Sequence, residues 1–498
     1  MRRQPFSLLD VLALAGLLAL AAGLRFVALG RMPLIGDEAY YWLWSQRPAL
    51  AYYDHPAGVA WLIRLSTALG GQGEVGIRWL NAALGAGLAA LAFDLASWGN
   101  DAAGRRRRAG LLAAALAATA APLLIVGRFV YPDALLLFLL LLNLGLFWRM
   151  AEQQPEPSWP TALAFGGSLA LLFNTKYIAY LYAAVLLALV LRYHRPLLRS
   201  RRAWAAAGLG LLGLLPVLIW NAGHGWASLR WQLSHAVGGV GGGLDPLRNA
   251  RHAWMYLTWP VVLATLLGLG RPRSAVDRSL LWLGVALALP VLLSPADSPR
   301  SLLPGALLLL ILAARRLADP SPPLRRPAVV AATALVLATA LYGAGTVLRL
   351  AGRAEHPLAA LRSSGVGDVR RDSAGWRDLG AALAGEPTPL FSVDYSAAGQ
   401  LAYYSGRPAA TSWGQYRLWG FPQSDAWTVV SRSFVPPALI EEQLGAGFAA
   451  VSGPDPLIAE SDGVRQTLHV WRAAGRRWTD QEMADALDFL RLWQEAQR

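Results

Sequence analysis

The feature that most constrains this chain is a succession of apolar runs, many of them close to the length of a bilayer crossing, separated by short arginine-bearing loops. Inside a bilayer no water satisfies the backbone amides, so runs of this kind fold as helices. They lie near 8–29, 79–98, 109–127, 134–150, 160–175, 177–192, 203–221, 253–270, 279–294, 301–314 and 328–350, which predicts about eleven transmembrane helices. The composition agrees, with 55% hydrophobic residues, 15% charged residues and a mean hydropathy of +0.37. A net charge of +14 is therefore not a nucleic-acid signature, because the arginines sit where they orient helices and meet anionic headgroups. There are no cysteines, which excludes disulfides, Cys-ligated zinc and thiol catalysis. The first run has a competing reading as a cleaved signal peptide, with Ala21-Ala22-Gly23 at the cleavage site. Its length and the many spans that follow favour a membrane helix.

The arginines also predict direction. With Arg2 and Arg3 in the cytoplasm, alternate loops carry Arg105 to Arg108, then Arg192, Arg195, Arg199, Arg201 and Arg202, then Arg271, Arg273 and Arg278, then Arg315, Arg316, Arg325 and Arg326. The opposite loops hold scattered single arginines, so Asp37, Asp54, Asp133, Lys176 and the loop 222–252 are expected on the outer face. Around Gly352 the character changes. Strand-like runs at 389–393, 448–451 and 467–471 alternate with helix-like runs at 375–384, 396–404 and 437–444, and 479–497 reads as a terminal amphipathic helix. The expected organisation is a transmembrane domain over 1–351 and a small soluble α/β domain over 352–498 on the outer face. A glycine-rich stretch, Gly238 to Gly243, lacks the strand–turn–helix context of a nucleotide site and reads as loop.

Candidate chemistry gathers on the outer side. Gly36-Asp37-Glu38-Ala39-Tyr40-Tyr41-Trp42 places two adjacent carboxylates where the first helix leaves the bilayer. Ionisable groups there are costly and tend to be functional; one carboxylate can take a proton as general base while the other positions it or a cation. The alternative is a helix-end pair in the headgroup region. Tyr52-Tyr53-Asp54-His55-Pro56 reads as an interfacial turn leading into a helix along the membrane. Its Asp54-His55 pair suits a divalent cation or a phosphate, and the alternative is an N-cap by Asp54. Asp133, after Tyr131-Pro132, is either a helix cap or a further substrate-facing carboxylate.

Lys176 is the one lysine in the chain, a compact cation suited to a lipid phosphate, with snorkelling as the alternative. The loop 222–252 adds His224, Arg230, His235, Arg248 and Arg251 beside Trp226 and Trp231, and the next outer loop adds Arg300. Histidines with arginines at a headgroup suit a phosphate leaving group. The candidates are thus Asp37, Glu38 and Asp133 for catalysis; Lys176, His224, Arg230 and Arg300 for a donor phosphate; and Tyr40, Tyr53, Asp54 and His55 for substrate or metal. No ligand set is specific enough to name a metal, so any cofactor is unknown, a divalent cation being one option.

With these residues in place, the chain resembles the polyprenyl-phosphate-dependent glycosyltransferases of the GT-C class. It is most similar to bacterial family-39-like proteins, related to protein O-mannosyltransferases and to the aminoarabinose transferases of lipid A. The resemblance covers about 8–350 and rests on Gly36-Asp37-Glu38-Ala39-Tyr40-Tyr41, Tyr53-Asp54-His55-Pro56, Pro132-Asp133-Ala134-Leu135, Thr175-Lys176-Tyr177 and Trp220 to Ser228. Weaker echoes follow in Asp394-Tyr395, Leu401 to Tyr404 and Gln415-Tyr416. Two departures stand out. Ala57 replaces the second proline of a frequent His-Pro-Pro, and Ser298-Pro299-Arg300 stands where a His-Trp-Pro type segment is expected.

The resemblance implies an inverting transfer on the outer, periplasmic face of a bacterial inner membrane, from a polyprenyl-phosphate-linked sugar to an envelope lipid, glycan or protein. Asp37 would be the base, with Lys176 and an outer-loop Arg or His at the phosphate. A lipid phosphate leaving group needs no nucleotide-binding motif. A transporter or flippase of lipid-linked sugars is the competing reading, but it would place ionisable groups near the midplane on broken helices. A non-catalytic assembly or sensor protein is a third, against which the carboxylate-rich first loop argues.

Overall fold

A computed structural model describes residues 7–99, 103–153, 156–237, 245–294, 298–319, 325–432, 435–461 and 463–496. The glycine-rich stretch 238–243 lies outside the described residues. The chain divides into two compact units. One comprises Met1–Leu29, Ala49–Gly71 and Arg78–Val366; the other comprises Gly30–Pro48, Gln72–Ile77 and Gly367–Arg498.

The first unit is helical. Among the described residues seven helices are long and apolar enough to cross a membrane: Leu8–Phe26, Glu74–Ser97, Pro132–Glu152, Arg201–Gly223, Ala275–Leu292, Pro299–Ala318 and Arg326–Leu350. An eighth span is bent by 60° between Gly104–Thr119 and Ala121–Arg128. Three further expected segments overlap shorter apolar helices, Trp159–Phe173, Ile178–Tyr193 and Trp259–Gly268, of 15, 16 and 10 residues. All eleven apolar runs therefore overlap helices, while among the described residues eight at most have the length of a crossing.

Buried arginines satisfy the helix ends of this unit. The break before Ala121, where Pro122 removes a backbone donor, orphans the last carbonyls of the preceding half. The Arg25 guanidinium donates to Ala117 O at 3.2 Å and Ala118 O at 3.1 Å. Arg128 returns the favour, donating to Leu24 O, Arg25 O and Ala28 O at the end of the first helix. Gly85 and Gly127 leave room for Arg25; a Cβ on Gly127 would lie 2.8 Å from its Nε. At another helix end, Arg315 is buried rather than a solvated loop charge, pairing with Asp277 at 2.8 Å and donating to Ala96 O and Trp98 O.

The second unit is built on a five-stranded mixed sheet. Its strands are β1 (Leu390–Ser392), β2 (Ala409–Ala410), β3 (Ala426–Arg432), β4 (Phe448–Ser461) and β5 (Val464–Arg476), in the order β2-β1-β3-β5-β4. β1 runs parallel to β2 and β3, and β5 is antiparallel to β3 and β4. The helices Trp376–Leu383 and Tyr395–Ser405 contribute Trp376, Leu379, Leu383, Ala397 and Leu401 to a core shared with Leu390, Val430, Leu468 and Val470. The expected terminal helix is two short ones, Asp480–Ala486 and Phe489–Ala496, each beginning afresh after a break at Leu487-Asp488.

The acidic helix Gly36–Gln46 belongs to this unit and lies backbone-to-backbone on the helix Tyr395–Ser405. A Cβ on Gly399 would stand 2.7 Å from Tyr40 N, and one on Gly36 would stand 2.1 Å from Ser396 Cβ. Glycine is required at both points because any side chain would drive the helices apart.

Candidate functional site

The candidates fall into two groups, one in each unit. In the sheet-bearing unit, the acidic helix begins at Gly36 with no side-chain cap from Ile35. Glu38 takes over that task. Its Oε2 accepts from Ile35 N at 3.1 Å, and the residue is 0% exposed. The two neighbouring amides are also held by side chains: Leu34 N donates to the Tyr404 hydroxyl at 2.6 Å, and Gly36 N donates to Asp372 Oδ2 at 2.6 Å. Asp37 stands one residue later and accepts from the Tyr395 hydroxyl at 3.0 Å.

Arg432, at the end of β3, organises the acceptors around this turn. It bonds Asp372 Oδ1 at 3.0 Å and Gln400 Oε1 at 3.1 Å, donates to Ser396 Oγ, and lies 3.4 Å from Asp394 Oδ2. Burial pushes the Asp372 carboxyl above its usual range, although Arg432 and the Gly36 amide oppose it. Burial works against the charged form of Arg432 too, but Asp394 and Asp372 outweigh it and raise its pKa. Arg432 thus remains the cation of a partly buried cluster with two carboxylates.

Tyr40, expected to meet substrate, is instead 2% exposed within an aromatic cluster. It stacks on Tyr416 at 5.7 Å and meets Tyr395 edge-on at 5.2 Å, while Trp413 stacks on the other partner, Tyr395, at 4.9 Å.

In the helical unit, Asp133 occupies the first turn of Pro132–Glu152 but makes no cap; its Oδ1 pairs with Lys176 Nζ at 3.1 Å. Asp133 is 2% and Lys176 17% exposed at the side chain. Two residues before Asp133, the Tyr131 ring carries Arg300, whose guanidinium carbon lies 4.0 Å from the ring centroid. The segment Tyr131–Asp133 therefore engages two of the expected phosphate-binding cations at once.

The loop before Gly58–Gly70 is a tight turn in which Tyr52 N donates to His55 O at 3.0 Å and Ala51 bridges Pro56. Asp54 is not the N-cap of the helix that follows; that position is Ala57. Asp54 is 9% exposed, and its backbone carbonyl accepts from Gln232 Nε2 at 2.6 Å. Tyr53 packs against Trp231 at 5.5 Å, and Gly58 N donates to Asn174 O at 2.7 Å. The described part of 222–252 includes the helices Ala227–Val237 and Pro246–Leu257. His224 is exposed and stacks on Trp220 at 4.2 Å. Its Nδ1 lies 2.7 Å from Trp220 O, an acceptor, so Nδ1 carries the proton and the basic lone pair of the neutral ring resides on Nε2. Arg230 folds back onto Gly225 O. Among the described residues no group of three His, Asp or Glu side chains gathers as a metal-ligand set.

Asp372, Arg432 and Gln400 were missed by the sequence reading, and Tyr395 was noted only within a weak motif. One signal was present: Arg432 is a cation one residue beyond the apolar pair Val429-Val430, where a partner is expected.

The comparisons with known proteins point one way. A family model described as dolichyl-phosphate-mannose-protein mannosyltransferase matches residues 54–220. The lipid A galacturonosyltransferase RgtD of Rhizobium johnstonii is 28% identical over 200 residues, covering 39% of this chain and 40% of that protein, so the match spans less than half of the relative's length. The crystal structure of ArnT from Cupriavidus metallidurans in the apo state is similar with a TM-score of 0.57 at 16% identity, over 92% of this chain and 97% of ArnT. The same protein bound to undecaprenyl phosphate is similar with a TM-score of 0.54 over the same shares. The resemblance read from the sequence holds at the level of fold: the chain has the ArnT-like fold, mostly helical with a small C-terminal sheet domain, and residues 54–220 are similar to the mannosyltransferase family model.

Proposed function

We propose that a chain with this fold is an integral membrane glycosyltransferase that moves a sugar from a polyprenyl-phosphate donor to an envelope acceptor on the periplasmic face of a bacterial inner membrane. The observation that carries the reading is the likeness over 92% of the chain to ArnT, a protein solved with undecaprenyl phosphate. The first-loop carboxylate and the paired lysine supply the chemistry such a donor needs. We read residues 1–351 as the membrane part, with the acidic first loop working together with the outer-face part 352–498.

In the proposed reaction an acceptor hydroxyl oxygen attacks the anomeric carbon of the donor sugar. The carbon–oxygen bond to phosphate breaks, its electron pair leaves with the polyprenyl phosphate, and the configuration inverts. Asp37 takes the hydroxyl proton as the new bond forms. Lys176, oriented by Asp133, and Arg300, seated on Tyr131, offer positive charge to the departing phosphate. Lys176 brings three donors, and Asp133 engages one of them at 3.1 Å, so the ammonium can bond a phosphate oxygen without breaking its pair. Glu38 is engaged in capping and Asp133 in the pair with Lys176, which supports the reading of Asp37 as the general base. The exposed His224 and Arg230 are candidates for further contact with the headgroup, and Asp54 and His55 for the acceptor or a cation.

The test is Asp37→Asn, assayed in membranes against a panel of polyprenyl-phosphate-linked hexoses, aminopentoses and uronic acids, scoring donor loss beside the wild type. Wild-type turnover of one donor that disappears in a normally expressed Asp37→Asn protein is the expected result and identifies the sugar. Equal activity in both proteins removes Asp37 from the chemistry.

A further inference from the structure

We propose that Tyr395 is a positioning residue for Asp37, and that Asp372 and Arg432 hold the backbone on which Asp37 stands. This deepens the proposed function and rests on Asp37 being the base.

A carboxylate that accepts a proton in a transition state gains most when its rotamer and backbone are fixed beforehand. Both are fixed here by side chains far away in sequence. The Tyr395 hydroxyl donates to Asp37 Oδ1 at 3.0 Å. The Tyr395 ring is clamped, with Tyr40 edge-on at 5.2 Å on one side and Trp413 stacked at 4.9 Å on the other. The phenol is therefore presented from a fixed point rather than from a mobile side chain.

The backbone before Asp37 is held just as closely. Three consecutive amides, Leu34, Ile35 and Gly36, donate to the Tyr404 hydroxyl, the Glu38 carboxylate and the Asp372 carboxylate. The Leu34 carbonyl accepts from Gln400 Nε2 at 2.9 Å. One guanidinium, Arg432, links Asp372, Gln400 and Ser396, and Ser396 lies beside Tyr395. A helix start needs its free amides satisfied, but one short polar residue would do that. A cross-linked set drawn from two helices and a strand end fixes position as well as satisfying donors.

The experiment uses the full chain in proteoliposomes, with the polyprenyl-phosphate sugar that the wild type turns over. Tyr395→Phe keeps the aromatic ring and removes the hydroxyl that donates to Asp37. The expected result is a kcat about tenfold lower, as for loss of a hydrogen bond to a charged group, with an unchanged KM for the donor and a melting temperature close to wild type. The acid limb of the kcat–pH profile, read from about pH 4 to pH 8, moves to higher pH, because a carboxylate that loses a donor holds its proton more tightly. The charged groups around the turn include Glu38 on the same helix, Asp372 on the helix Gly365–Ser373, Asp394 next to Tyr395, Arg432 on β3, and the Glu74–Arg377 pair, whose Glu74 accepts from the Tyr404 hydroxyl. None is altered by the substitution, so a displaced limb reports the lost bond. Replacement of Tyr395 by 3-fluorotyrosine, a stronger donor of nearly the same shape, moves the limb the other way.

An acid limb that stays in place in both variants overturns the proposal, whatever happens to kcat, because a merely structural tyrosine would leave it there. Full activity in Asp37→Asn instead overturns the underlying reading of Asp37. Loss of activity in Asp37→Asn, with a wild-type profile in Tyr395→Phe, overturns the positioning role alone.

Discussion

Removing Lys176 tests the helical unit's candidate site most directly, because its partner Asp133 is almost fully buried. The two charges stand 3.1 Å apart, with Asp133 2% and Lys176 17% exposed. Their attraction is about 5 kcal/mol at an effective dielectric of about 20 and about 1 kcal/mol in water. Desolvation offsets part of this, so the pair by itself adds little to stability, but half a pair is costly. Lys176→Met leaves a carboxylate buried without its cation and should destabilise the fold by about 2–3 kcal/mol. Asp133→Asn leaves the cation, which is the more exposed partner, and should cost about 1 kcal/mol. The double variant removes both charges and should melt above Lys176→Met alone, a sign of direct coupling. The assay is thermal unfolding of detergent-purified protein, read beside donor KM. Both Lys176 variants should raise KM for the polyprenyl-phosphate donor, and Asp133→Asn should raise it less. A Lys176→Met protein as stable as the wild type, or a double variant less stable than both singles, would refute the reasoning.

Three further outcomes follow from the sheet-bearing unit. Glu38→Ala loses the bond to Ile35 N and should cost about 1–2 kcal/mol in melting experiments, whereas Glu38→Gln keeps an acceptor and most of the activity; a folded but inactive Glu38→Gln protein would return Glu38 to the chemistry. Arg432→Met leaves Asp372 without its opposing cation, so a carboxyl already raised by burial rises further. The folded state then holds that proton more tightly than the unfolded chain, so the associated stability is present at low pH and lost as pH rises through the folded value. The variant should accordingly lose more melting temperature relative to wild type at pH 8 than at pH 5, and the reverse order would sink the account. Gly399→Ala places a Cβ 2.7 Å from Tyr40 N and should cost about 1–3 kcal/mol, while Gly385→Ala, which meets nothing within 4 Å, serves as the unaffected control in the same melting series.

Much of the architecture could be read along the chain because the forces behind it are local. Each apolar run became helix because a bilayer leaves backbone groups no other partner. The runs near 389–393 and 396–404 became β1 and the helix Tyr395–Ser405, whose start is set within a few positions by Asp394 accepting from Ala397 N. β3 went unread. Its Trp427-Thr428-Val429-Val430-Ser431 is buried on both faces, so it lacks the polar alternation that marks a half-exposed strand. The single terminal helix expected over 479–497 was another local reading, and the chain interrupts it at Leu487-Asp488.

The candidate site divides the same way. The residue types at Asp37, Asp133 and Lys176 were visible as charges too costly to sit beside membrane spans without a purpose. Their partners were not visible. Asp133 and Lys176 are 43 positions apart, Gly36 and Asp372 are 336 apart, and Asp37 and Tyr395 are 358 apart. The adjacent acids Asp37 and Glu38 look alike on paper, yet their places on the first helical turn send one carboxylate back to Ile35 N and the other to a tyrosine from another helix. Sequence alone therefore determined the solvent each segment prefers, the helical runs and the acidic motif, since hydropathy and charge belong to the residues themselves. Only the tertiary structure decided which carboxylate caps, which is positioned and which cations are paired, because a hydrogen bond exists only where folding brings two distant atoms within about 3 Å.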